Sequence, residues 1–338
     1  MKIACFSFTD KGREIGDKLQ SIKDDNYNID HYSNGDKDGG IKNKLGSMWK
    51  QYDAFIFISA TGIAVRMVSP YLKNKSVDPA VVVVDDLGKF SISLLSGHLG
   101  GANELAHHIA SEIGAEPIIT TATDNRNIES IDMFAKVNDY FIEDIKSLTR
   151  ITTMMVNGKT IGLYTEEDKY IDYENTLIVK DLKNMDSNIK GIIIVSSEDK
   201  IEDIPIPFTI LRPQNINIGI GCRRGVETSR IINAIEDEFQ SHNLTTKSIK
   251  AIGTVEVKKD EKGIIEATSY FNCPLRIFSI DDIKEVEENF SKSQFVKDTI
   301  GVYSVSGPVA SLLGGKIMTE KAKHNGITIS ISKEVKNG

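Results

Sequence analysis

Two short, unbroken apolar runs, Ala54-Phe55-Ile56-Phe57-Ile58 and Ala80-Val81-Val82-Val83-Val84, constrain this chain more than any other feature. A strand with one face in water alternates apolar and polar residues, whereas a run with no polar member has to be covered on both faces. Such runs, alternating with helical spacing at 12–22 and 63–72, leave an open, mostly parallel α/β sheet as the natural architecture. The second run closes in Asp85-Asp86-Leu87-Gly88, whose turn chemistry predicts a hairpin into a strand over 89–95. That strand runs into Ser96-Gly97-His98-Leu99-Gly100-Gly101, and a helix follows with Ala102, Leu105, Ala106, Ile109, Ala110 and Ile113 on one face. In sheets of this kind the loops at strand C-terminal ends are expected to form the crevice that binds ligands.

The turn at 96–101 is therefore the first site candidate. Gly97, Gly100 and Gly101 let backbone approach a ligand closely and aim free N–H groups at it. Histidine ordinarily titrates near neutrality, so His98 is the first choice for a general base or a donor that orients a ligand. Asn103 and Glu104, at the start of the helix, either contact substrate, Glu104 as a further catalytic candidate, or cap the helix. Ser96 lies two residues from His98, but the Gly-x-Ser-x-Gly elbow of a serine nucleophile is missing. His107 and His108 fall within the helix body and take no role.

Composition removes several classes of function. A net charge of -7 argues against non-specific nucleic-acid binding. Cys5, Cys222 and Cys273 are too far apart for a zinc pattern and provide no disulfide framework, so no metal site of the protein's own is expected. No apolar stretch approaches the ~18 residues of a membrane span. Met1 to Phe8 lacks the pattern of a signal peptide, and the expected compartment is the cytoplasm.

Three domains are expected: an open Rossmann-like α/β domain over 1–124, a small α+β region over 125–213, and a second, smaller α/β domain over 214–338. The segment 24–40 reads as loop, and 131–142 as a helix. Asn157-Gly158 between β-rich arms predicts a hairpin. The stretch 166–213 shows one clear strand at 191–195 and ends in a proline-marked linker at Pro205, Pro207 and Pro213. In the third domain Gly219-x-Gly221 reads as a strand entering a glycine turn. Cys222, Arg223, Arg224 and Gly225 then lead into a helix. Gly225 falls one residue late for a dinucleotide fingerprint. A carboxylate seat built from the glycines, the helix start, Arg223 and Arg224 is the preferred reading, the alternative being a solvated arginine pair. Cys222 beside those arginines is read as a thiol whose pKa is lowered. Lys258 and Lys259 open a charged run that is either further positive charge or a solvated turn; Arg66, in the first domain, belongs with the same group.

Taken together, these motifs resemble the CbiG family of the anaerobic cobalamin pathway. The resemblance rests on Thr61-Gly62-Ile63-Ala64-Val65-Arg66, Lys75 with Asp78-Pro79-Ala80-Val81, the run from Leu94 to Asn103, and Thr120 to Asp124. In the C-terminal half it rests on the run from Gly219 to Gly225, Lys258 to Glu261, Gly301-Val302 and Gly326-Ile327-Thr328. Gly307-Pro308 departs from the family pattern, in which an acidic residue is expected there.

The resemblance implies hydrolysis of cobalt-precorrin-5A, with opening of the δ-lactone between the ring A acetate and C20 and release of acetaldehyde. It implies a cobalt-corrinoid partner and no cofactor of the protein's own, since cobalt is carried by the substrate. It also implies substrate contacts at Thr61, Gly62 and Arg66 together with the glycine turns. The substrate is expected between the N- and C-terminal domains. A homodimer and transient contact with neighbouring pathway enzymes complete the partner expectations. A non-catalytic corrinoid carrier and a nucleotide-dependent enzyme stay open beside this reading.

Overall fold

The computed structural model describes residues 1–33, 40–74, 77–121, 128–166, 173–201 and 203–334, with the backbone alone at 43. Lys75, the motif residues 122–124 and the polar turn expected at 123–127 lie outside the described residues. The chain divides into two compact units, Met1–Phe134 and Ala135–Gly338. No helix among the described residues is long and apolar enough to cross a membrane.

The N-terminal unit comprises β1 (Lys2–Ser7), α1 (Asp10–Gln20), β2 (Asn28–Ser33), α2 (Ile41–Met48), β3 (Ala54–Ile58), α3 (Thr61–Val68), β4 (Ala80–Val84), β5 (Phe90–Leu95), α4 (Ala102–Ile113) and β6 (Glu116–Ile118). Its six strands are ordered β2-β1-β3-β4-β5-β6. The first four are parallel, β5 runs antiparallel to β4, and β6 follows β5. The unbroken apolar runs are the middle layer of a three-layer stack. Ile56, Val82 and Val84 meet Leu19 of α1 and Leu105, Ala106 and Ile109 of α4. Phe55, Phe57, Val81 and Val83 meet Leu45 of α2 and Ala64 and Val68 of α3 on the other face. The expected hairpin is present, with the Asp85 carboxylate accepting from the N–H groups of Lys89 and Phe90 at 2.7 Å.

The segment 24–40, read as loop, contains the edge strand β2. Its sequence NIDHYS is polar because only one residue of it is fully buried, so the two-face apolar signature of the inner strands is absent.

The C-terminal unit holds two sheets. The division between units falls within α5 (Ile131–Val137), and the chain continues as β7 (Tyr140–Ile142), α6 (Ile145–Val156), β8 (Ile161–Thr165), β9 (Thr176–Val179), β10 (Gly191–Val195) and β11 (Phe208–Pro213). The sheet order is β7-β11-β10-β8-β9, with β7 alone antiparallel. Three expectations are corrected here. The helix over 131–142 stops at Val137, and the chain turns through left-handed Asp139 into β7. The Asn157-Gly158 hairpin is instead the stop signal of α6: Gly158 N–H bonds to Met155 O (2.9 Å) and Lys159 N–H to Met154 O (3.0 Å). That pair is a Schellman motif, and left-handed glycine serves it as well as it serves a type I′ turn. The proline-marked linker is an inner strand, β11, with its prolines at and beyond its ends.

The last sheet contains β12 (Ile216–Cys222), α7 (Thr228–Ser241), β13 (Ile249–Val255), α8 (Lys262–Tyr270), β14 (Leu275–Phe278), α9 (Ile280–Val286), α10 (Gln294–Ile300), α11 (Ser306–Leu313), β15 (Lys316–His324) and β16 (Ile327–Lys333). The order is β14-β13-β12-β16-β15, with β12, β13 and β14 parallel. Ile231 and Ile235 of α7 and Ile264 and Ala267 of α8 cover one face, while Ile283 of α9 and Val309 of α11 pack on the other.

Partly buried ion pairs tie distant segments of this unit. Arg212, 2 % exposed, bonds to Glu143 at 2.6 Å and to the carbonyls of Ser196 and Glu198, and Lys247 reaches Glu143 at 2.7 Å. Lys333 of β16 meets Glu166 at 2.7 Å, and that carboxylate also accepts from the hydroxyls of Ser196 and Ser197. Burial alone would raise the carboxyl of Glu166, but Lys333 and the two serines outweigh it and hold it below its ordinary range. Glu143 is lowered in the same way, burial being overcome by Lys247 and Arg212.

A carboxylate held low contributes stability above its unfolded pKa and loses that contribution as pH falls through its lowered value. The C-terminal unit should therefore weaken below about pH 4. Glu166→Ala strands Lys333 and should cost about 3 kcal/mol at pH 7 in urea denaturation, with a flatter acid dependence than wild type. Equal stability and equal acid sensitivity would show that water already serves Lys333.

Candidate active site

The direction of β5 decides where the glycine turn lies. Because β5 pairs antiparallel with β4, Leu95 sits beside Val81 and the chain leaves the sheet at the N-terminal ends of the parallel strands. Thr61, Gly62 and Arg66 follow the C-terminal end of β3. A five-residue strand separates the two ends by about 17 Å. The crevice expected at strand C-terminal ends does not contain the turn, and Thr61, Gly62 and Arg66 do not share a site with it. Arg66 is exposed and donates to Gly62 O of its own helix at 3.1 Å.

The turn is held from several sides. Ser96 adopts a left-handed backbone (φ 56), and its hydroxyl donates to Asp78 O at 2.9 Å. Ala102 N–H bonds to Ser96 O (3.1 Å), Asn103 N–H to Gly97 O (3.0 Å) and Gly101 N–H to His98 O (3.0 Å). Asn103, only 9 % exposed, accepts from Ser93 Oγ at 2.7 Å and donates to Thr121 Oγ1 at 3.3 Å. A Cβ on Gly97 would stand 2.6 Å from Asn103 Oδ1, and one on Gly100 would stand 2.5 Å from Ser96 Cβ. Both glycines are thus required by close packing within the turn. Gly101, left-handed at φ 84, starts α4 with no side-chain cap. Asn103 is a brace beneath the turn and caps nothing, while the hydroxyl of Ser96 is spent on backbone.

Clefts open on both sides of this turn. One, of about 440 Å³, is lined by Leu99, Gly100, Trp49, Tyr52 and Asp78 among others. The other, of about 570 Å³, is lined by Gly97, His98, Asn103, Glu104, His107, Glu129 and Ser130 with apolar Pro117, Ile119, Ile128 and Met133. His98 and Glu104, both singled out from the sequence, line it. It also adds Glu129, Ser130 and His107, which the sequence gave no reason to choose. They come from a later segment and from a helix position whose exposure reads as solvent. Glu104 lies in the first turn of α4, where the helix dipole favours an anion. His108 instead stacks on Tyr27, with ring centroids 4.4 Å apart.

A second constellation has the contacts of a nucleophile relay. Ser7 Oγ lies 2.8 Å from His31 Nε2, and His31 Nδ1 lies 2.8 Å from Asp17 Oδ1. Ser7 is 1 % exposed, so its hydroxyl is closed to a substrate. The imidazole fills the space above Gly16, where a Cβ would meet it at 2.2 Å. This relay ties α1 to β2.

In the C-terminal unit the glycines expected to form an anion seat stand inside β12. A Cβ on Gly219 would lie 2.0 Å from Ser306 O, and one on Gly221 would lie 2.7 Å from Thr328 Oγ1. Their absent side chains admit α11 and β16, which leaves no room for a ligand. Arg223 and Arg224 are exposed beyond the strand end, and α7 begins only at Thr228. Burial pushes the Cys222 thiol up to about 11, against the opposing pull of Lys258. The expected lowering is reversed, and the group is a neutral thiol at pH 7. Lys258 pairs with Glu261 at 3.4 Å, which also accepts from Gly225 N–H at 2.7 Å. Lys259 is exposed. Among the described residues no group of three or more His, Cys, Asp or Glu side chains could hold a metal ion.

Three family models match the chain: cobalamin synthesis G N-terminal over 43–124, the cobalamin biosynthesis central region over 129–213, and cobalamin synthesis G C-terminus over 216–332. A Salmonella typhimurium protein named cobalt-precorrin-5A hydrolase is 37% identical over 301 residues, covering 87% of this chain and 86% of its own. A protein of the same name from Priestia megaterium is 32% identical, covering 97% and 94%. A crystal structure of a cobalamin biosynthesis protein G homologue from Sulfolobus solfataricus is 24% identical, covers 98% of this chain and 97% of its own, and superposes with a TM-score of 0.39.

If Gly219 serves packing, Gly219→Ala must displace α11 and should cost roughly 3 kcal/mol in chemical denaturation. Gly225→Ala meets open space and only a left-handed backbone (φ 70), so it should cost about 1 kcal/mol. Equal stabilities for the two variants would return Gly219 to the list of ligand-contact candidates.

Proposed function

The chain belongs to the CbiG family of cobalamin biosynthesis, and on that premise we propose that it hydrolyses cobalt-precorrin-5A, with the His98 cleft as the site of chemistry. The observation that carries the reading is the 37% identity, over 87% of this chain, to a relative named for that reaction. The reaction proposed is opening of the ring A δ-lactone followed by loss of the two-carbon fragment as acetaldehyde. Water adds to the lactone carbonyl, and the ring C–O bond then breaks to give a carboxylate and an alcohol. Deprotonating that alcohol lets the bond from C20 to the macrocycle break, the electron pair passing into the conjugated ring as acetaldehyde departs. Both stages need a group that accepts and returns protons, the work His98 would do.

The walls of the cleft fit the lactone edge of the substrate better than its acidic periphery. Among the described residues the lining includes Glu104 and Glu129 and no lysine or arginine, so the acetate and propionate groups would be held by residues other than these. The neutral lactone, flanked by Ile119, Ile128 and Met133, would lose little on leaving water. No cofactor of the protein's own enters this scheme, cobalt arriving with the substrate.

Incubation with cobalt-precorrin-5A should release one acetaldehyde per corrinoid converted, measured by trapping the aldehyde and weighing the product. His98→Ala should fold normally and turn over ~10²–10⁴-fold more slowly. A shifted corrinoid spectrum without acetaldehyde would identify a carrier. Wild-type turnover by folded His98→Ala would remove His98 from the chemistry.

A further inference from the structure

The cleft on the other side of the 96–101 turn is lined by Leu99 and Gly100 of the turn and by Trp49, Tyr52, Lys50 and Lys73 among others. Lys50 and Lys73 are exposed, and among the described residues neither ammonium pairs with a carboxylate. Asp53 and Asp78 share the lining, but both are engaged with backbone. Asp53 Oδ2 accepts from Lys2 N–H at 2.7 Å, and both oxygens of Asp78 accept from Lys73 N–H at 3.0 Å. The four charges balance, and the Lys2 ammonium, 4.4 Å from the centroid of the Tyr52 ring, tips the wall positive. Trp49 is held in place, its ring stacked on Phe55 at 5.0 Å and tilted against Tyr71 at 5.8 Å. Uncommitted ammonium groups beside a fixed aromatic face suit a ring that carries acidic arms.

A surface lysine alone carries no such meaning, since most are simply solvated. Position makes the difference here. The described lining of the His98 cleft holds two carboxylates and no cation, so a polyanion bound there needs positive charge close by. His98 and Gly100 are two residues apart, no more than about 8 Å along the chain. One ligand can therefore lie across the turn, its lactone edge beside His98 and an acidic arm beside the lysines. Asp78 joins the two sides, its carboxylate holding the backbone of Lys73 and its carbonyl accepting from Ser96 Oγ at 2.9 Å. We propose that this cleft seats acetate and propionate carboxylates of the substrate, held by the ammonium groups of Lys50 and Lys73 with the ring edge against Trp49. The proposal rests on the reading above that the ligand is cobalt-precorrin-5A. No bond forms or breaks at these carboxylates, so the contacts are equally strong before and during the reaction. The two lysines set affinity and orientation and leave the chemical step alone.

The test compares wild type with Lys50→Gln/Lys73→Gln, using cobalt-precorrin-5A as the probe. Trp49 is the only tryptophan of the chain. Quenching of its fluorescence on rapid mixing reports binding before turnover, and acetaldehyde release reports kcat. The double variant should bind about 10²-fold more weakly, roughly 10-fold for each lysine. Its kcat at saturating substrate should be unchanged, and its affinity should depend less on ionic strength. Lys11→Gln/Lys18→Gln removes the same charge from exposed positions of α1 and should bind as wild type does. An equal loss in both double variants would show that only overall charge matters, which overturns the proposal. Unchanged affinity in Lys50→Gln/Lys73→Gln, with wild type active, also overturns it and leaves the hydrolase reading intact. If wild type binds but releases no acetaldehyde, the hydrolase reading fails, while weaker binding by Lys50→Gln/Lys73→Gln alone still upholds the cleft. If wild type does not bind cobalt-precorrin-5A, both fail.

Discussion

The amide of Asn103 is the contact on which the rest of the candidate site depends. It lies under the turn between β5 and α4, bonded to Ser93 on the strand and to Thr121 beyond β6, and it occupies the space that Gly97 leaves open. A left-handed serine is a strained conformation worth about 1–2 kcal/mol. It persists here because Asp78 O holds the Ser96 hydroxyl and Ala102 holds its carbonyl. Asn103, Gly97, Gly100 and Ser96 therefore act as one fitted piece, and it carries His98 at the wall of the cleft.

The hairpin after β4 gives that piece its place. The parallel strands β1, β3 and β4 form the buried centre of the N-terminal unit, and the reversal at 85–88 sends β5 back across the sheet. The turn consequently faces the end where β1, β3 and β4 begin, beside Met1, whose Cε would lie 3.3 Å from a Cβ on Gly101. Helices α1 and α4 cover one face and α2 and α3 the other. The sheet is thus covered on both faces, and the proposed site of chemistry stands at one of its ends.

Much of this was legible from residue patterns. The two-face apolar runs identified β3 and β4, the Asp-Asp-Leu-Gly turn identified the hairpin, and the 3.6-residue stripe identified α4. The location of the crevice was not, because the rule for strand C-terminal ends concerns the parallel strands, and the hairpin sends β5 the other way. Other misreadings came from residues with more than one use. Glycine in the left-handed region ends a helix at Gly158 and also makes hairpin turns. Glycine in a strand can admit a ligand or, as at Gly219, a helix. Polar β2 lacked the apolar signature because it is an edge.

Asn103 should act on turnover through His98 and by no other route, which a double-mutant cycle measures directly. Acetaldehyde release from cobalt-precorrin-5A would be compared for wild type, Asn103→Ala, His98→Ala and the double variant. If the brace serves only to place the imidazole, the double variant turns over at the rate of His98→Ala, because nothing remains to be placed. Two losses that multiply would contradict this, and would make Asn103 an independent contributor to the chemistry.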